Sequence, residues 1–255
     1  MRGRAVRALS AASLIGLAPV LWVQARRVRH VTPRLPPADG PHEGVTGAGL
    51  RPLRLLVVGE STAVGVGVAT HEDGLAGHTA RALAGATGRP VCWHVLGRSG
   101  ASARKLVTEL IEPASSIDAD VVIVALGVND TISLSSVGHW TRALESLRQA
   151  VRRSSPGAAI VLSGVPPMQH FPALPSPLRH VLGLRASVLD GAAVAWASAQ
   201  PAVAHVPHPV VPRAEVASVF CADGFHPSAL GYALWGAALA AAASAILTRA
   251  AADQG

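Results

Sequence analysis

Blocks of apolar residues recur along most of this chain, and their lengths fall into two classes. Five short runs, at 53–58, 91–96, 121–126, 159–162 and 202–206, are built mainly from Val, Leu, Ile and Ala. Longer stretches at 74–86, 103–110, 140–153, 184–199 and 230–247 lie between and after them. In the third of these, Leu144, Leu147 and Val151 share one side of a helix and Arg148 and Arg152 the other. Continuous short runs, rather than alternating ones, suit strands covered on both faces, as in a parallel sheet with helical crossovers. The pattern predicts an α/β fold over residues 51–252: a three-layer α/β/α sandwich around a central, mostly parallel five-stranded sheet. The fifth run is the weakest of the strands. No internal repeat is visible.

A different pattern opens the chain. Residues 9–25 carry no charge, and arginines flank them on both sides. Three readings compete for residues 1–31. A cleaved signal has the right basic start, but Arg26 and Arg27 follow the small-x-small site at once. An uncleaved anchor is just long enough, with Trp22 at its end. A helix lying on the membrane surface would set its arginines against anionic lipid. Membrane association is the favoured expectation, with export as the alternative, and arginine on both sides leaves the topology open. Residues 32–50, rich in Pro and Gly, read as a linker.

Charge changes the picture only for this segment. The net charge is +7, yet residues 1–34 hold seven arginines and no acid, so the remaining 15 basic residues face all 15 acids. The body is formally neutral and shows no basic stripe with interleaved aromatics, so no nucleic-acid partner is expected. Cys92 and Cys221 are too few for a disulfide framework. They read as two small buried residues or, in an exported domain, as one bridge.

The carboxyl ends of parallel strands are where such sheets bind ligands. There the sequence places Gly59-Glu60-Ser61-Thr62, Gly97-Arg98-Ser99-Gly100-Ala101, Gly127-Val128-Asn129-Asp130 and, later, Asp223-Gly224-Phe225-His226-Pro227. Each piece alone has a plain explanation. Gly-x-Ser and Gly-x-Asn-Asp suit turns, Asp223 and Ser228 suit the cap of a helix, and Asp130 reads as support for its own loop. Together they supply a nucleophile, an amide donor, a carboxylate and an imidazole. A serine hydroxyl attacks well only when a base takes its proton, which His226 can do near neutral pH. Asp223, three residues earlier, can fix the tautomer. The backbone N–H groups of Ser61 and Gly100 and the side-chain amide of Asn129 are the candidate donors to an oxyanion, glycine at 100 letting the backbone come close.

In order and spacing, these segments resemble the SGNH (GDSL-type) serine hydrolases over about residues 53–247. The four residues of that pattern map onto Ser61, Gly100, Asn129 and His226. The resemblance implies a flavodoxin-like SGNH fold and no cofactor. It also implies ester cleavage through an acyl-enzyme, by lipases, esterases, thioesterases or carbohydrate deacetylases. Glu60 and Thr62 depart from it, since the family usually has Asp and Leu there.

Competing motifs fail. Ala63 replaces the last glycine of a nucleophile elbow. The glycines of 59–67 match neither a phosphate loop nor a dinucleotide fingerprint. The other histidines lack zinc-type spacing, so no metal is expected. The loop 165–175 is proline-rich and apolar, and Met168, Phe171 and Leu174 are candidates for one wall of an acyl pocket. The expected substrate is a small acyl ester, lipid esters included. Acyl transfer to a sugar or lipid, deacetylation of a carbohydrate, and a non-catalytic membrane-tethered binding module are the alternatives. The oligomeric state is not encoded in any pattern here.

Overall fold

The structure is a computed structural model that describes residues 2–252. Its elements run α1 (Arg2–Gly16), α2 (Ala18–Val31), β1 (Glu43–Thr46), β2 (Leu53–Gly59), α3 (Leu75–Thr87), β3 (Val91–Gly97) and α4 (Ala103–Ser116). There follow β4 (Val121–Ala125), α5 (Val128–Ile132), α6 (Val137–Ser154), β5 (Ala159–Ser163), α7 (Leu178–Ala197), β6 (Val203–Val206) and α8 (Ala229–Ala252).

One sheet orders its strands β1-β3-β2-β4-β5-β6. The last five are mutually parallel, as the apolar runs predict. Successive residues feed opposite layers. Leu56, Val58, Val122 and Val124 pack under α4, α6 and α7, and Leu55, Val57, Val121 and Ile123 under α3 and α8. Burying each such side chain stabilises the fold by roughly 1.5–3 kcal/mol. The order of the parallel strands reverses at β2, which has β3 on one side and β4 on the other. A crevice opens at the carboxyl ends flanking such a reversal.

The sheet has six strands where five were expected. The extra one, β1, lies inside the segment read as a linker and pairs antiparallel with β3, from Glu43 opposite His94 to Thr46 opposite Val91. Its four residues alternate between exposed and half-buried. A short polar edge strand of this kind leaves almost no apolar signal. Helix α7 also begins six residues ahead of expectation. The side-chain oxygen of Gln24, on α2, accepts from Leu178 N at 3.1 Å, and its amide donates to Ser176 O at 2.8 Å. A cap supplied from over 150 residues away is invisible in local sequence.

The uncharged run 9–25 does not form one straight span. It bends by 81° between residues 8–16 and Ala18–Val31, with Pro19 in the first turn of α2. Leu21 is buried and Leu14, Leu17, Ala25 and Val28 pack on the core, so one side of the bent pair is seated against the body. Among the described residues, α8 is long and apolar enough to cross a membrane by length and composition. Its Tyr232, Trp235, Leu239, Ala240 and Ala243 are buried against the sheet.

Candidate active site

Ser61 stands in the turns that follow β2, and two contacts from the C-terminal part of the chain hold that segment. Buried Tyr232 on α8 donates its hydroxyl to Val66 O at 2.7 Å. Gly67, at φ +105°, lies so close to Pro227 that a Cβ there would meet the Pro227 carbonyl oxygen at 2.6 Å. The serine segment and the His226 loop are thus docked on each other. The His226 loop is itself a tight turn, with Cys221 N donating to His226 O at 2.8 Å and Gly224 N to Cys221 O at 2.9 Å.

Within this frame His226 Nε2 lies 3.0 Å from Ser61 Oγ, and His226 Nδ1 lies 2.6 Å from Asp223 Oδ2. A carboxylate only accepts, so Nδ1 carries a proton in this contact and Nε2 is the ring nitrogen turned to Ser61. Asp223 is buried. Burial alone would raise its pKa. The hydrogen bonds from the His226 ring, the Cys221 thiol and the backbone N–H groups of His226 and Phe225 outweigh that and hold it well below the usual carboxylate range. Cys221 and Cys92 are both free. Burial, with the neighbouring carboxylate, pushes the Cys221 thiol up to about 11. It therefore stays protonated and donates to Asp223 Oδ1 at 3.0 Å.

Asn129 opens α5, beyond β4. Its Nδ2 donates to Glu60 Oε2 at 2.5 Å and to Ala101 O at 3.2 Å. Glu60 adjoins Ser61 and Ala101 adjoins Gly100, so this amide bridges the two segments whose N–H groups were expected beside it. Gly100 has φ +76° with open space where a Cβ would stand. The positive φ is a backbone conformation that glycine adopts without strain. Asp130 Oδ2 accepts from Ala103 N at 2.7 Å, so its side chain ties the Asn129 segment to the start of α4 rather than bracing its own loop.

Beside Ser61 and His226 opens a cavity of about 800 Å³. Its apolar walls include Pro166, Phe171, Val219, Phe220, Phe225 and Trp235. Phe171 meets Phe220 and Phe225 edge-on at 5.2 and 5.1 Å between ring centroids. Half-buried His208 packs on Trp235 at 5.0 Å, and desolvation lowers its pKa to about 4, so at neutral pH it adds no charge. Among the described residues Glu60 is the one acid in the lining, while Arg179, His170 and His180 supply basic groups.

Residues 57–234 match the model of the GDSL-like lipase/acylhydrolase family. The chain is also 30% identical over 241 residues to the GDSL-like esterase Rv1075c of Mycobacterium tuberculosis, covering 86% of this chain and 74% of that protein. The chain belongs to the GDSL-like lipase/acylhydrolase family. It is, with that family, a serine ester hydrolase. Solved structures agree in fold. The lipase Lip_vut3 from a goat rumen metagenome superposes with TM-score 0.59 at 19% identity, over 74% of this chain and 97% of that one. A carbohydrate esterase family 2 enzyme from Corynascus thermopiles (Myceliophthora fergusii) does so with TM-score 0.59 at 20% identity, over 80% of this chain and 69% of that one.

Two expectations about the pocket need correction. Met168 and Leu174 are buried in the core with no face on the cavity, and of the three residues named from the loop only Phe171 lines it. Met168 opens a short helical turn, Met168–His170, that packs on α7 and carries its side chain inward. More of the wall comes from residues 208–220, which the sequence reading passed over. Its signal was the run His208-Pro209-Val210-Val211-Pro212 directly beyond β6, at the same edge as the other loops. Glu60, noted in the sequence as a departure from the family's usual Asp and given no role, lines the cavity as well.

Proposed function

We propose that this hydrolase cleaves carboxylic esters of apolar acyl groups by a Ser-His-Asp mechanism. The observation that carries the reading is the line from Asp223 through His226 to Ser61, at 2.6 and 3.0 Å, opening onto an apolar cavity. His226 takes the Ser61 proton as Oγ attacks the ester carbonyl, and ionised Asp223 stabilises the imidazolium formed. Collapse of the tetrahedral intermediate passes that proton to the leaving alcohol and leaves an acyl-Ser61. A water deprotonated by His226 then releases the acid. The Asn129 amide and the Ser61 and Gly100 N–H groups serve the oxyanion.

The size and lining of the cavity favour an acyl chain longer than acetyl, because apolar surface is rewarded by apolar contact. A fluorophosphonate should label Ser61 in wild-type protein and not in S61A. On p-nitrophenyl esters of graded chain length, kcat/KM should rise beyond acetate, and Phe171→Ala should shift the preferred length. An unlabelled but folded protein would overturn the hydrolase mechanism. A length preference unmoved by F171A would remove the cavity from acyl recognition.

The N-terminal helices favour a lipid interface as the place of work. Leu9, Ile15, Val20, Trp22 and Val23 are exposed, and Arg26 stacks on Trp22 at 5.5 Å. Arg27 and Arg29 are exposed on the same helix. Apolar groups beside arginines, with no acid before Asp39, suit an anionic membrane surface. The protein should co-sediment with vesicles containing phosphatidylglycerol and less so at high salt. Equal recovery with and without vesicles would exclude this placement.

A further inference from the structure

We propose that Glu60 is the positioning residue of the oxyanion hole, its carboxylate setting the reach and direction of the Asn129 side-chain amide. The inference rests on the Ser-His-Asp reading above. Three N–H groups converge on this one side chain. Val128 N donates to Oε1 at 2.9 Å, Asn129 N donates to Oε2 at 3.0 Å, and Asn129 Nδ2 donates to Oε2 at 2.5 Å. Both ends of Asn129, backbone and amide, are therefore tied to the residue that precedes the nucleophile. The strand ends make this possible, since Glu60 N donates to Ala125 O at 3.2 Å and so holds the end of β2 against that of β4.

The amide has two protons, and the second goes to Ala101 O at 3.2 Å. That longer, neutral contact is the one a substrate oxygen can replace. The Glu60 contact is the charge-assisted one and persists through the exchange. A side chain held by a rigid acceptor loses little orientational freedom when the oxyanion forms, and fixed donors of this kind are what lower the barrier. Glu60 touches neither the reacting carbonyl nor Ser61 Oγ in this scheme, and it acts through Asn129.

A buried carboxylate beside a nucleophile has a cost that argues for a role. Burial is the largest influence on Glu60 and, opposed by the three N–H groups, raises its pKa to about 7. Asp130, on α5, adds to the rise, and His226 lines the same cavity from the loop before α8. An apolar side chain would avoid the penalty, but would leave three N–H groups without an acceptor.

The test is a double-mutant cycle on p-nitrophenyl butyrate, about one pH unit above the Glu60 transition, with circular dichroism confirming the fold of each variant. Asn129→Ala should lower kcat roughly 100–1,000-fold. Glu60→Ala should lower kcat roughly tenfold or more with KM little changed, as expected for an interaction realised in the transition state. E60D, which restores a carboxylate one methylene shorter, should recover part of the loss. The double variant E60A/N129A should be no slower than N129A, because the second loss acts through a group already gone. Additive losses, or a kcat for E60A equal to wild type, would overturn the proposal. Should E60A not fold, Glu60→Gln carries the same cycle with smaller losses. Fluorophosphonate labelling of Ser61 separates the two readings. Labelled protein with additive losses sinks the role of Glu60 alone, and unlabelled folded protein sinks the hydrolase mechanism beneath it.

Discussion

Replacing Asp223 by Asn tests whether this carboxylate sets the histidine tautomer or merely shapes its loop. The two carboxylate oxygens have different surroundings. Oδ1 accepts from Cys221 Sγ at 3.0 Å, Phe225 N at 2.8 Å and His226 N at 2.9 Å, while Oδ2, among the described residues, faces the imidazole alone at 2.6 Å. An asparagine must put its carbonyl oxygen on one side and its NH2 on the other. With the oxygen at the Oδ1 place, three donors keep their acceptor. The loop therefore retains its shape and the NH2 group points at His226 Nδ1. That nitrogen must then accept, the proton moves to Nε2, and Nε2 can no longer take the Ser61 proton. A wrong tautomer in intact geometry lowers kcat by roughly 10⁴-fold in the best-studied triad, or about 5 kcal/mol at about 1.4 kcal/mol per decade. The assay is kcat/KM for p-nitrophenyl butyrate beside the rate of fluorophosphonate labelling, since both need the same proton transfer. Both should fall together while the thermal midpoint moves little. A loss below tenfold in either, with the fold intact, would show that Asp223 holds the turn and leaves the imidazole to orient itself.

Two further predictions concern stability and the coupling of loops. Glu60 has a folded pKa of about 7 against 4.5 as the ordinary value. A raised carboxylate pKa contributes stability that is fully present below the unfolded value and lost as pH rises through the folded one. The shift is worth about 3 kcal/mol at most, at about 1.4 kcal/mol per unit. Urea unfolding of wild type and E60Q across that window should show the wild type losing ground as pH rises, and parallel curves would refute the assignment. Gly67→Ala must strain a backbone at φ +105° and push against the Pro227 carbonyl. It should cost about 1–3 kcal/mol in the unfolding free energy and lower kcat by displacing His226. Unchanged kcat in a destabilised variant would separate the serine segment from the histidine loop.

How much of this was legible in the sequence follows from where each interaction has its cause. Strands β2 to β5 were readable because burial on both faces writes itself as continuous apolar residues, and Val121–Ala125 has no polar position at all; α3, α4 and α6 were readable between them, while the short α5 was read as a turn. Ser61 and Asn129 were legible as candidates because each lies a few residues past a strand end, and Asp223 and His226 because they stand three residues apart, within one turn of chain, just ahead of α8. Strand β1 was not, since its stability comes from pairing with β3 rather than from its own four residues. The start of α7 was not, because its cap is Gln24.

Glu60 marks the limit of reading residues by type. Between Gly59 and Ser61 a glutamate is an ordinary polar residue of a turn, and nothing nearby in sequence demands a carboxylate. Its partners, Val128 and Asn129, lie almost seventy residues on. They meet it only because β2 and β4 are parallel neighbours with Gly59 opposite Ala125. The register of two strands, fixed by apolar burial far from any chemistry, thus decides which side chain the oxyanion amide leans on. The same register puts Gly59 opposite Gly97 on β3 and so brings the Gly100 segment alongside. A change that slipped β4 by one residue would exchange its two buried faces and carry Asn129 away from Ser61. In this fold the core sets the geometry of the site before any polar residue does.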